Sequence, residues 1–100
     1  MRLTPKQQQI IVTTLRRYFG QSSRILLFGS RVDDNARGGD IDLYIEPELT
    51  DADQLVDARL NAMAELHTRL GEQKIDLVIN RHHSTSLPIY RVAQETGVAL

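Results

Sequence analysis

Leu27-Phe28-Gly29-Ser30-Arg31, a polar loop, and then Gly38-Gly39-Asp40-Ile41-Asp42-Leu43-Tyr44-Ile45 make up the stretch whose reading decides the fold. An apolar run ends in a Gly-Ser turn, and a second apolar run opens with two carboxylates two residues apart. From Asp40 the alternation is strict, with Ile41, Leu43 and Ile45 on one face of a strand and Asp40, Asp42 and Tyr44 on the other. The run before the turn, Ile25 to Phe28, does not alternate, as expected of a well-buried strand covered on both faces.

Upstream, Thr4-Pro5 reads as a helix cap followed by a first-turn proline. Ile10, Ile11, Leu15, Tyr18 and Phe19 then predict a helix with one buried face, stopped by Gly20. Downstream, Pro47 ends the alternating strand, and Thr50 with Asp53 three residues on predicts a helix start. Val56, Leu60, Met63, Leu66 and Leu70 form the apolar stripe expected to pack on the sheet, and Gly71 closes that helix. The run Lys74 to Asn80 alternates again, with Ile75, Leu77 and Ile79 on one face and Asp76 and Val78 on the other. After a polar loop, Pro88 opens a short helix expected to turn Ile89, Val92 and Ala93 inward and to stop at Gly97.

This order predicts an α/β (α+β) fold with a small mixed sheet of three or four strands and helices mainly on one face. A helical crossover leaves the strands it joins parallel, so Asp40, Asp42 and Asp76 start two parallel strands at one end of the sheet. The first strand, joined to the second by a loop, can pair antiparallel to it and deliver Gly29-Ser30 to the same end.

The 100 residues are those of a single domain, 1–100, able to bury a core but too small to enclose a substrate, which leaves room for a second chain, a homo-oligomer included. A hydrophobic fraction of 41% and a charged fraction of 25% are ordinary for a globular protein. The net charge of -1 argues against a protein that binds nucleic acid mainly through its phosphates. The absence of cysteine removes disulfides, zinc-thiolate sites and thiol nucleophiles. No signal pattern opens the chain and no apolar run nears the roughly 20 residues of a bilayer span, so no membrane partner and a cytoplasmic location are expected.

Asp40 and Asp42 leave one strand face about 6.5–7 Å apart at the backbone, close enough to share a cation. Like charges this close need neutralising, and oxygen-only ligands point to Mg²⁺ or Mn²⁺, which bind through one or two carboxylates together with substrate phosphates. Gly29 would let a phosphate approach the backbone, Ser30 offers a hydroxyl and an N–H, and Arg31 adds charge. Asp76 could ligate a second ion or take a proton from an attacking hydroxyl.

Gly29-Ser30, the short polar loop, Asp40-x-Asp42 and the later Asp76 in an Ile-Asp-Leu-Val-Ile strand resemble the nucleotidyltransferase superfamily that includes DNA polymerase beta. Over essentially its whole length the chain is similar to the minimal members, the MNT proteins of bacteria and archaea. The resemblance implies that Gly29 and Ser30 hold nucleotide phosphates, that Asp40 and Asp42 hold metals and that Asp76 is the third catalytic carboxylate. It also implies ATP as substrate and a helical HEPN protein as partner, since some MNT antitoxins transfer AMP to a tyrosine of such a toxin. Asp33-Asp34-Asn35 stand where the family commonly has another glycine, and Gly39 where a Ser or Thr commonly precedes the first aspartate.

Two other functions stay open: a module that neutralises its partner by contact alone, and a nucleotidyltransferase acting on a small molecule held by another subunit. Taken singly, a Gly-Ser is usually a turn and an Asp-x-Asp a solvated strand face. Their meeting with Asp76 at one sheet end is what points to a site. His82-His83 reads as a solvated loop pair, His67 as a hydrogen-bonded residue at a helix edge, and Tyr44 as a candidate lining residue.

Overall fold

A computed structural model describes residues 3–29, 40–71 and 73–100. Helix α1 (Pro5–Phe19) leads into strand β1 (Arg24–Phe28), which is followed by β2 (Ile41–Glu46), α2 (Ala52–Leu70), β3 (Ile75–Ile79), α3 (Pro88–Thr96) and β4 (Val98–Ala99). The sheet has the order β3-β2-β1-β4. β1 runs antiparallel to β2 with Phe28 opposite Asp42, and β2 runs parallel to β3 with Asp42 opposite Asp76. The α2 crossover thus leaves its strands parallel, as expected. Among the described residues no helix is long and apolar enough to cross a membrane.

The alternation of β2 divides the core as its sequence predicts. Ile41, Leu43 and Ile45 join Ile25, Leu27, Ile75 and Leu77 under α1 and α2. On the other face Tyr44 packs with Leu26, Phe28 and Ala93. Most of β1 is buried because helices cover it on both sides, α1 and α2 on one and α3 on the other. Thr4 caps α1 as expected, its hydroxyl accepting from the Gln7 N–H at 3.1 Å while the Gln7 side chain accepts from the Thr4 N–H at 3.0 Å.

Three local expectations are corrected. Asp51, not Thr50, caps α2, its carboxylate accepting from the Gln54 N–H at 2.9 Å. Of the expected α2 stripe, Leu66 is fully buried and Met63 and Leu70 pack against the core, but Val56 is 59% and Leu60 66% exposed, and Leu55, Ala58 and Ala62 face inward in their place. The small side chains of Ala58 and Ala62 let α2 lie close to its neighbours, and close approach outweighs the larger side chains of Val56 and Leu60. In α3 only Ala93 is buried, while Ile89 and Val92 lie outward, because the helix meets the sheet along Tyr90, Ala93 and Gly97. β4, two residues paired with Leu26 and Leu27, is too short to leave a period in the sequence.

At the outer edge of β3 two carbonyls that point away from β2 are occupied by side chains. Arg59 of α2 donates to the Leu77 carbonyl at 2.7 Å, and the Tyr90 hydroxyl donates to that of Ile79 at 3.3 Å.

Candidate active site

The in-register start of β2 and β3 brings the carboxylates together. Asp42 and Asp76 are direct cross-strand neighbours, so their side chains leave the same face side by side. Asp40 lies one strand period before Asp42 at the sheet end, half-buried like Asp42, while Asp76 is exposed. Burial first, then the charges of Asp76 and Asp40, push the Asp42 carboxyl above the usual carboxylate range. Asp76 is also within hydrogen-bonding reach of Asp42.

Gly29 follows β1 and lies against Asp42 with φ +75°. A β-carbon built there runs into the Asp42 carboxylate, so only glycine lets the chain pass this close. Ser30 and Arg31, expected to meet nucleotide phosphates, and Gly38-Gly39 lie outside the described residues.

Lys74 is the site neighbour that the sequence reading passed over. Its ammonium stands 3.7 Å from an Asp40 carboxylate oxygen, and its charge opposes the upward push on Asp42. The signal was present, because one period back from Asp76 along β3 places Lys74 on the carboxylate face, beside Asp40.

Tyr44 shares the strand face of the aspartates but is fully buried, so it lines no open pocket. Its hydroxyl donates to Glu46 at 2.6 Å and accepts from Asn80 and Gln94, each at 2.9 Å. Asn80, itself buried, also donates to the Ser84 carbonyl at 2.8 Å. This network ties the loop after β3, and α3, to the sheet beyond the carboxylates. His83 approaches the Pro47 carbonyl at 3.0 Å, and His67 bonds to the Met63 carbonyl at 2.9 Å, which leaves both outside the cluster.

Among the described residues no group of three or more His, Cys, Asp or Glu side chains is drawn together tightly enough to hold an ion by itself. The donor set still suits a hard divalent cation. Asp42 and Asp76 are adjacent and mutually repelling, all donors are oxygen, and the remaining positions suit nucleotide phosphates and water. The family described as polymerase beta, nucleotidyltransferase matches residues 9–98. The chain therefore belongs to the polymerase beta-like nucleotidyltransferases, whose domains typically use a divalent metal and a nucleotide. No curated protein matches the chain.

Proposed function

We propose that this nucleotidyltransferase transfers AMP from ATP, with Mg²⁺ or Mn²⁺, to a tyrosine hydroxyl of a HEPN-type toxin and so acts as its antitoxin. The observation that carries the chemistry is the Asp42–Asp76 pair, two carboxylates in register at an accessible sheet end with Gly29 pressed against Asp42. A protein acceptor is the finer part of this reading and follows from the resemblance to the minimal MNT proteins.

In this reading Asp40 and Asp42 hold the metal, and Asp76 completes the ligand set or takes the acceptor's proton. A bound divalent ion would neutralise charge on the phosphates. Gly29 leaves space for the phosphate chain, and Ser30 and Arg31 bind it. The acceptor oxygen forms a bond to the α-phosphorus while the bond from that phosphorus to the bridging oxygen breaks. Pyrophosphate leaves with the electron pair, and the hydroxyl proton passes to Asp76 or to solvent. Fixing these groups before the substrate arrives lowers the barrier by orientation as well as by charge.

The test is intact-mass measurement of the chain and a co-purifying helical partner after incubation with ATP and Mg²⁺, with EDTA and Asp42→Asn as controls. A metal-dependent gain of whole AMP units on the partner, lost in Asp42→Asn, is the expected result. A stable, inactive complex that gains no mass, and that Asp42→Asn forms equally well, would replace it with neutralisation by contact. That second reading draws on the absence, among the described residues, of a preassembled three-ligand group.

A further inference from the structure

The geometry points to Lys74 as a partner-exchanging cation that neutralises the carboxylate cluster when no metal is bound and moves to the polyphosphate of the nucleotide when one is. The inference rests on the carboxylate site of the proposed function and adds a nucleotide-binding residue to it.

Lys74 precedes β3 by one residue and lies beside Asp40 where the register of β2 and β3 is carried one step back. Its carbonyl accepts the Ile41 N–H at 2.9 Å, so its backbone is pinned to the sheet end while its side chain is 69% exposed. An ion pair at 3.7 Å between side chains 69% and 47% exposed adds little stability. It is also easily broken. A divalent ion held by Asp40 competes for the same oxygens and repels an ammonium beside them. Lysine carries its charge on a flexible four-carbon stem and binds phosphate as a point charge, so the freed group can follow the negative charge that the nucleotide brings to the same face. One residue thereby limits self-repulsion in the empty site and holds the triphosphate in the filled one.

Calorimetric titration separates these roles without turnover. Mn²⁺ alone, and then Mg²⁺ with α,β-methylene-ATP, whose α–β bridge resists displacement, are titrated into the parent, Lys74→Gln, Lys74→Arg, Lys6→Gln and Asp42→Asn. Lys6 lies on α1, and its change removes the same net charge from a residue outside the cluster. Lys74→Gln is expected to bind Mn²⁺ a few-fold more tightly and the nucleotide analogue about tenfold more weakly, the scale of one lost charge-assisted hydrogen bond. Lys74→Arg should restore nucleotide binding, and Lys6→Gln should change neither.

A Lys74→Gln variant that binds both probes like the parent, or shifts no more than Lys6→Gln, overturns the inference. If Asp42→Asn loses the analogue while Lys74→Gln does not, only the role of the lysine falls. If Asp42→Asn binds metal and analogue like the parent, the carboxylate site itself is wrong and the lysine's role falls with it.

Discussion

Glu65, between the two helices on one side of the sheet, and Asp42, at the sheet end, are carboxylates with opposite surroundings. Glu65 accepts from the Thr14 hydroxyl at 3.0 Å, the Tyr18 hydroxyl at 3.0 Å and Arg17 at 2.7 Å, with Arg69 3.6 Å away. Burial pushes the Glu65 carboxyl up, but the hydrogen bonds from Tyr18, Thr14 and Arg17 outweigh it and hold the group below the usual range. Asp42 is half-buried among other aspartates, with Gly29 against it and Asp76 within hydrogen-bonding reach, and is pushed up. A carboxylate that serves the fold is surrounded by donors, whereas one set among like charges costs stability in the absence of a ligand. The difference sets an acid that the fold satisfies apart from one that it leaves among like charges, without reference to any relative.

The largest expected effect breaks that contrast at Asp42. Asp42→Asn should lower transfer by about a thousandfold or more, the scale of removing one preorganised charge-stabilising group. The same change should leave the urea midpoint of the metal-free protein unchanged or higher, and a clear fall in that midpoint would mean that Asp42 serves the fold after all. Next is Gly29→Ala, which imposes φ +75° on a residue with a β-carbon and drives that carbon into Asp42. About 1–3 kcal/mol of destabilisation is expected by denaturant titration, together with reduced transfer from a displaced carboxylate.

On the other side of the comparison, Glu65→Ala should lower the thermal midpoint while transfer at a temperature below it is retained. It leaves the buried Thr14 hydroxyl, Tyr18 and Arg17 without their common acceptor. Loss of transfer in the still-folded variant would show that the helical layer takes part in the site.

The smallest effect is one of pH, and its sign differs at the two places. Lowering of the Glu65 carboxyl makes a stabilising contribution that is present at neutral pH and lost as pH falls through its lowered value. Raising of the Asp42 carboxyl works the other way. The native state holds its proton more tightly than the unfolded chain, so stability is lost as pH rises from about 4 through the raised value. Thermal melts from pH 3 to pH 8 should therefore show Asp42→Asn gaining on the parent, and Glu65→Gln losing ground, as pH rises. Parallel curves for the two variants would remove the distinction. Mg²⁺ should raise the midpoint of the parent and not that of Asp42→Asn, since only a ligand of the native state stabilises it.

Much of this contrast could be read from residue order. The period of two in Ile41-Asp42-Leu43-Tyr44-Ile45 assigned both faces of β2, and one crossover helix implied the parallel pairing that brings Asp76 beside Asp42. These are local periods joined by one topological rule, and they need no side-chain packing. Which face of α2 turns inward does need it, because Ala58 and Ala62 bury through closeness and carry little hydrophobic weight in a sequence. Lys74 was missed for a different reason: it opens the alternating run just before the first apolar residue of β3, and only the pairing of β3 with β2 sets it beside Asp40. Tyr44 belongs to neither case. Its strand face was legible, but the Asn80 and Gln94 side chains that occupy its hydroxyl come from the loop after β3 and from α3, and their meeting is tertiary.

The guarded edge of β3 limits how copies or partners of this protein can assemble. A free edge strand is a template on which another strand can add, and repeated addition leads to filaments and aggregates. With Arg59 and Tyr90 already bonded to the outward carbonyls of Leu77 and Ile79, that route is closed at two consecutive outward-facing positions. A partner that meets the sheet on this side is left to side-chain shape and charge for recognition, and it binds and leaves without lengthening the sheet.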